Sequence, residues 1–223
     1  MLGAKLRFLN GDVTESAVFF SDYIKNTEQS IIKGQQDLQK KAKKAIQAES
    51  EYADEMQNSS DDAGHRQHYI FNPNLLYNSL FITFYSYFEN RMKEISIYFD
   101  DLYDNLEKIP SRNIIGFYKD YLFKHHYSDF SEVQSEWDII NDFQKIRNNI
   151  VHSNGVILND ETKKTIELNE ALNKYPSIKV WQKTFWIIDS EILFQFNDTI
   201  RNFLTKVITK ISIPPLPTDV VLD

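Results

Sequence analysis

At 223 residues, 42% hydrophobic and 14% aromatic, the chain can bury a sizeable core, which excludes a disordered protein. It has no cysteine, so disulfides, thiolate metal sites and a cysteine nucleophile are excluded. A net charge of −7 argues against a broad basic surface that wraps nucleic acid, but leaves room for a small local phosphate site.

The 12 Tyr and 16 Phe against 6 Gly and 6 Pro point to long regular elements, and the periodicity is helical. From Asp12 to Gln57 a helix is expected, with Val13, Ala17, Phe20 and Ile24 forming one apolar stripe. Beyond it Ile31, Leu38, Ala45 and Tyr52 recur in a charged run, basic from Lys33 to Lys44 and acidic from Glu49 to Glu55. Such runs face water more often than nucleic acid or membrane, so residues 1–60 read as a helical arm packed along a thin edge. "NSSDDAGHRQHYIFNPN" is the polar loop that separates it from the body, residues 61–213.

The body opens with the most apolar helix, capped by Asn74, with Leu76, Leu80, Phe84, Phe88, Ile95, Phe99, Leu102 and Leu106 on one face until Pro110 stops it. Ser111 to Lys124 forms a shorter helix with Ile114, Ile115, Phe117, Tyr118, Tyr121 and Leu122 to bury. A helix from Ser131 to His152 follows, with Gly155 as its left-handed stop. Short strands at Val156–Leu158 and Ile178–Trp181 flank a short helix in "ETKKTIELNEALNKYP". Asp189 or Ser190 caps the last helix, which carries Leu193, Phe196, Ile200, Phe203, Leu204, Val207 and Ile211 and ends at "IPPLP", before an extended tail at 214–223.

The expected fold is therefore mainly α: a bundle of four to five helices, a small β-containing insertion before the last helix, and a long N-terminal helical arm. No stretch reaches the roughly 18–20 apolar residues of a membrane span, and the N-terminus lacks a signal-peptide core, so a soluble cytoplasmic chain is expected.

The Ser131–His152 helix carries "RNNIVHSNG" at its end. Helical residues are about 100° apart, which groups Ile139, Phe143, Ile146 and Ile150 on one face and Val133, Trp137, Ile140 and Val151 on a second. The second face needs a partner, either another helix of the chain or a second copy. Arg147 projects between the two faces, where a desolvated guanidinium calls for a carboxylate or a phosphate. Asn148 and His152 are an i, i+4 pair beside the second face. Read from the residues alone, a buried ion pair for Arg147 and a cap on the last carbonyls for His152 are favoured over a site. His125, His126 and Asp129, like His65 and His68, read as surface residues. Trp137, Trp181 and Trp186 read as core packing rather than base-stacking residues.

An arginine followed by a polar residue, with a histidine a few positions on at the end of a bundle helix, resembles the motif of the HEPN superfamily. The resemblance covers the body from Asn74 to Ile211 and leaves out the N-terminal arm. It implies a homodimer with both motifs at its interface, acting as a metal-independent ribonuclease in toxin–antitoxin, CRISPR-associated or phage-defence systems. No cofactor or metal is expected, nor DNA or a membrane as partner; an antitoxin or regulatory protein is. Arg147 would bind phosphate, which suits a permanently charged bidentate fork, and His152 would move the proton. Asn148 would orient one or the other, and Glu89, in "YSYFENRMKEI", would pair with Arg147. Glu89 fits an exposed i, i+4 bond to Lys93 equally well. Attack by the ribose 2′-OH needs a base, an acid and a cation, and one histidine does not readily serve as both acid and base. Two copies across a two-fold axis supply both. The resemblance also admits a catalytically inert interaction module, with the charged arm as its contact surface.

Overall fold

The computed structural model describes residues 2–48, 72–103, 113–125, 129–158 and 161–210. The acidic run from Glu49, Tyr52, the loop and boundary near residue 60, His65, His68, Leu106, Pro110, His126, Ile211 and the tail at 214–223 lie outside the described residues. So do the side chains of Ala45, Phe99, Leu102 and His125.

Six α-helices are present among the described residues: α1 Leu2–Ala48, α2 Asn72–Tyr103, α3 Ile114–His125, α4 Gln134–Ser153, α5 Lys163–Leu172 and α6 Glu191–Lys210. A 3₁₀ turn, Phe130–Val133, leads into α4, and the strands β1, Ile178–Trp181, and β2, Thr184–Ile187, precede α6. The molecule is a mainly helical bundle with one small sheet.

The core forms where α2, α4 and α6 meet. Phe81, Phe143 and Phe196 close a three-way cluster, with centroids 5.4, 5.1 and 4.4 Å apart. Such ring pairs add about 0.5–1.5 kcal/mol each beyond area burial. On α2 the buried face is wider than expected, with Tyr77, Phe81, Tyr85 and Met92 beside Leu80, Phe84, Phe88 and Ile95. Leu76, assigned to that face, is 42% exposed instead. The reason is the aromatic density of α2, which lets two adjacent faces pack at once.

The first half of α1 belongs to this core. Val13, Ala17 and Ile24 are buried, and Phe20 lies 4.5 Å from Phe84. Buried Asn197 of α6 donates to the Ala17 carbonyl at 2.8 Å and to Ser21 Oγ at 3.0 Å. Asp12 pairs with Arg91 of α2 at 2.6 Å. Beyond Ile31 the helix turns outward-facing, with Leu38 half-buried among exposed neighbours. The helix also starts well before the Asp12 expected from the sequence, because residues 2–11 contain no breaker stronger than a single glycine before Gly11.

Three local expectations are corrected. Asn74 is not a cap: α2 begins at Asn72, and the Asn74 carboxamide oxygen accepts the Ile187 N–H at 2.9 Å, joining α2 to β2. The left-handed residue that ends α4 is Asn154, φ 50°, followed by Gly155 at φ 79°. Val156–Leu158 is no strand but a single bridge, Val156 to Thr184, while β2 pairs with β1 in the register Ile178 to Ile187 and Trp181 to Thr184. Of the two candidate caps of α6, Asp189 accepts the Glu191 N–H at 3.1 Å, and Ser190 Oγ donates to Glu28 of α1 at 2.8 Å.

Candidate functional site

The motif helix α4 has both its apolar groups covered by its own chain. Phe143, Ile146 and Ile150 are buried, Ile139 partly so. Val133, Trp137 and Ile140 are also buried, Trp137 against Phe203 of α6 at 5.6 Å and against Phe130 at 6.2 Å. Of the second group only Val151 stays exposed, at 44%. A second copy is thus not needed to cover that face; another helix of the chain does it.

Arg147 projects between these faces and is half-buried. Its guanidinium lies over the Tyr85 ring of α2 at 5.4 Å, and Nη1 donates to Asn148 Oδ1 at 3.0 Å. The buried Nε has no hydrogen-bond partner among the described residues, and Arg147 closes no ion pair there. Glu89 of α2 is half-buried and within electrostatic reach of Arg147. Burial pushes the Glu89 carboxyl above the ordinary glutamate range, and the Arg147 charge opposes that shift. Tyr85 is pushed up as well, by burial first and then by Glu89, with Arg147 again opposing, so it remains a neutral phenol.

The structure therefore brings Arg147, Asn148 and Glu89 to one place, and it adds Tyr85, which the sequence reading missed. Tyr85 lies one helical turn before Glu89, and that i, i+4 spacing is the signal that could have found it. His152 and Asn148 are exposed on the last turns of α4, and among the described residues His152 makes no hydrogen bond or ion pair. Asn148 is hydrogen-bonded to Arg147 but not to His152, so no hydrogen bond among the described residues spans the rotation that separates His152 from Arg147 around the helix.

The end of α4 is fixed in place. Asn149 Nδ2 donates to the Val156 carbonyl at 3.0 Å, Phe185 N–H to Gly155 O at 3.0 Å and Ile157 N–H to Lys183 O at 2.7 Å. A side chain at 155 would meet Phe185 O at 3.1 Å, and the positive φ there independently favours glycine.

On another side of α4 the buried Asp142 carboxylate receives Lys174 at 2.7 Å and Lys145 at 3.3 Å. Tyr175 beside it is pushed up by burial and by Asp142. This cluster ties the turn after α5 to α4 and includes none of Arg147, Asn148, His152 or Glu89. A groove of about 400 Å³ between α4 and α6, with Glu136, Glu191 and Asp198 at its walls, likewise includes none of Arg147, Asn148, His152 or Glu89. Among the described residues no three His, Asp or Glu side chains cluster as a metal would require, and no helix is long and apolar enough to cross a membrane. Trp137 is core as expected, but Trp181 is 58% exposed, a correction to the core reading. It sits on the side of the two-stranded sheet opposite Ile178, Phe185 and Ile187, which face the core.

Comparison of the chain with known protein families, with curated proteins and with solved structures found no match.

Proposed function

We propose that the chain is a metal-independent endoribonuclease of HEPN type, a toxin or defence effector that cuts RNA by 2′-OH attack at a site shared by two copies. The observation that carries this reading is Arg147: a half-buried guanidinium that, among the described residues, has an unsatisfied Nε and no ion pair, one residue from Asn148 and five from His152. A cation held that way has donors left for an anion, and a phosphate offers the matching bidentate acceptor. His152, exposed at the helix end, supplies proton transfer, and Asn148, hydrogen-bonded to Arg147, orients the arginine. Tyr85 and Glu89 position the arginine from behind.

RNA incubated with the protein in EDTA should yield 2′,3′-cyclic phosphate and 5′-OH ends. Arg147→Ala and His152→Ala should each lower the rate by about 10²-fold or more while leaving the fold intact. If either variant cuts like the wild type, the assignment is wrong. A second reading, an inert module of the same architecture, is supported by His152 making no hydrogen bond or ion pair to Arg147 or Asn148 among the described residues. A pure wild-type protein that leaves RNA intact selects it.

A further inference from the structure

Alternation along β1 and β2 sorts their side chains into two faces. Ile178, Phe185 and Ile187 point into the core, and Lys179, Trp181, Thr184 and Trp186 share the other side. Val156 bridges Thr184 on the side opposite Trp181, which extends that outer side by one more rung. Trp181 is 58% exposed, Val156 41% and Leu158 60%. An aromatic ring of this size gains about 1.5–3 kcal/mol when buried, so leaving it in water sets it apart from the core tryptophan Trp137.

The charge around it is also unusual. The chain carries a net −7, yet residues 174–188 contain three lysines and no Asp or Glu. Lys174 is committed to Asp142, whereas Lys179 and Lys183, both exposed, form no ion pair among the described residues. Two unmatched cations thus flank an exposed tryptophan in the order Lys179, Trp181, Lys183. The location is set by the same bridge. Val156 lies four residues past His152, and two strand spacings, roughly 10 Å, carry the sheet from Val156 to Trp181.

We propose that the outer side of this hairpin binds single-stranded RNA, with Trp181 stacking on a base and Lys179 and Lys183 holding neighbouring phosphates. Base–aromatic stacking beside cations is how sequence-tolerant single-strand binding is built, and it needs bases that are not already stacked in a duplex. The inference rests on the ribonuclease reading and adds to it the path of the strand: one nucleotide is held on the hairpin while another lies at Arg147.

The test is equilibrium binding of an unstructured 12-nucleotide RNA carrying 2′-O-methyl groups, which has no nucleophile and cannot be cut. Binding to the full-length protein should quench tryptophan fluorescence and weaken with salt. Trp181→Ala should weaken it at least tenfold, Trp181→Phe should retain most of it, and Lys179→Gln and Lys183→Gln should each reduce the salt slope by about one. Because Trp181 is exposed, the thermal midpoint should not move. Wild-type protein that fails to bind, or Trp181→Ala that binds within twofold of wild type, overturns the proposal. So does a Trp181→Ala variant whose RNA affinity is unchanged while its sedimentation shifts to a smaller species, since the hairpin is then a protein interface. The two readings fail separately. If Trp181→Ala loses RNA while Arg147→Ala and His152→Ala cut as wild type, the platform stands and the catalytic assignment falls. If those two variants are dead while Trp181→Ala binds and cuts normally, only the platform falls.

Discussion

Glu89 and Arg147 feel each other's charge across the α2–α4 contact, and among the described residues they close no ion pair. Burial, only partly offset by the Arg147 charge, leaves the carboxyl above its ordinary range, and the open pair leaves the guanidinium with spare donors.

A glutamate whose folded pKa lies above its unfolded value binds more protons when folded, so ionising it costs stability as pH rises through that window, and the cost vanishes below it. Glu89→Gln should therefore stabilise the protein at pH 7 by up to about 1 kcal/mol and lose that effect near pH 4. Arg147→Ala removes the opposing charge and should destabilise more at pH 7 than at pH 4. Urea unfolding of both variants at the two pH values checks the signs; an Arg147→Ala penalty that is the same at both would show that the pair is uncoupled.

The proposed two-copy site makes a second prediction that a one-copy site does not. When wild type and His152→Ala are unfolded and refolded together in equal amounts, activity should fall to about one quarter rather than one half of that of all-wild-type protein, because mixed dimers have one histidine where two are needed. A linear fall with the fraction of mutant would exclude a composite site.

Two turn residues should respond in opposite directions to the same physics. Gly155 has φ 79° and would place a Cβ 3.1 Å from Phe185 O, so Gly155→Ala should cost about 1–3 kcal/mol. Gln182 has φ 56° at the first residue of the two-residue hairpin turn, where glycine carries no such penalty. Gln182→Gly should then be neutral or stabilising by up to about 1 kcal/mol, read as a rise in the thermal midpoint. A matching loss at both positions would mean that side-chain contacts, not backbone, decide.

Glu136 should govern acid stability. Burial pushes its carboxyl up, but hydrogen bonds from Lys206 at 2.5 Å, from its own backbone and from Ser135 at 3.0 Å outweigh this and hold it below the usual range. A depressed carboxylate stabilises the fold above its unfolded pKa and loses that contribution as pH falls through the folded one, here below about pH 4. Glu136→Gln should flatten the acid side of the stability profile and cost about 1 kcal/mol at pH 7. An unchanged acid midpoint would assign the acid lability elsewhere.

Much of the helical frame was legible because its apolar residues recur at helical spacing: the stripe of α6 and the two groups of α4 were assigned to faces, and almost all are buried. β2 was not legible. Its turn, Gln182-Lys183, carries none of the Gly or Asn that marks a tight hairpin, so "TFWI" ran on from the preceding segment without punctuation. Arg147 was placed correctly between its two faces, but the neighbour that shapes it, Tyr85, comes from a helix more than 60 residues away in sequence. Periodicity fixes which way a residue points on its own helix. It says nothing about which residue of another helix it meets, and that is why the second apolar face read equally well as a contact with a second copy.

Finally, the hydrogen bonds from Asn149 to Val156, from Ile157 to Lys183 and from Phe185 to Gly155 weld the hairpin to the last turn of α4. Whatever grips the hairpin also holds His152 by the handle. A ligand seated on the hairpin, well away from Arg147, is accordingly coupled through these three hydrogen bonds to the turn that carries His152.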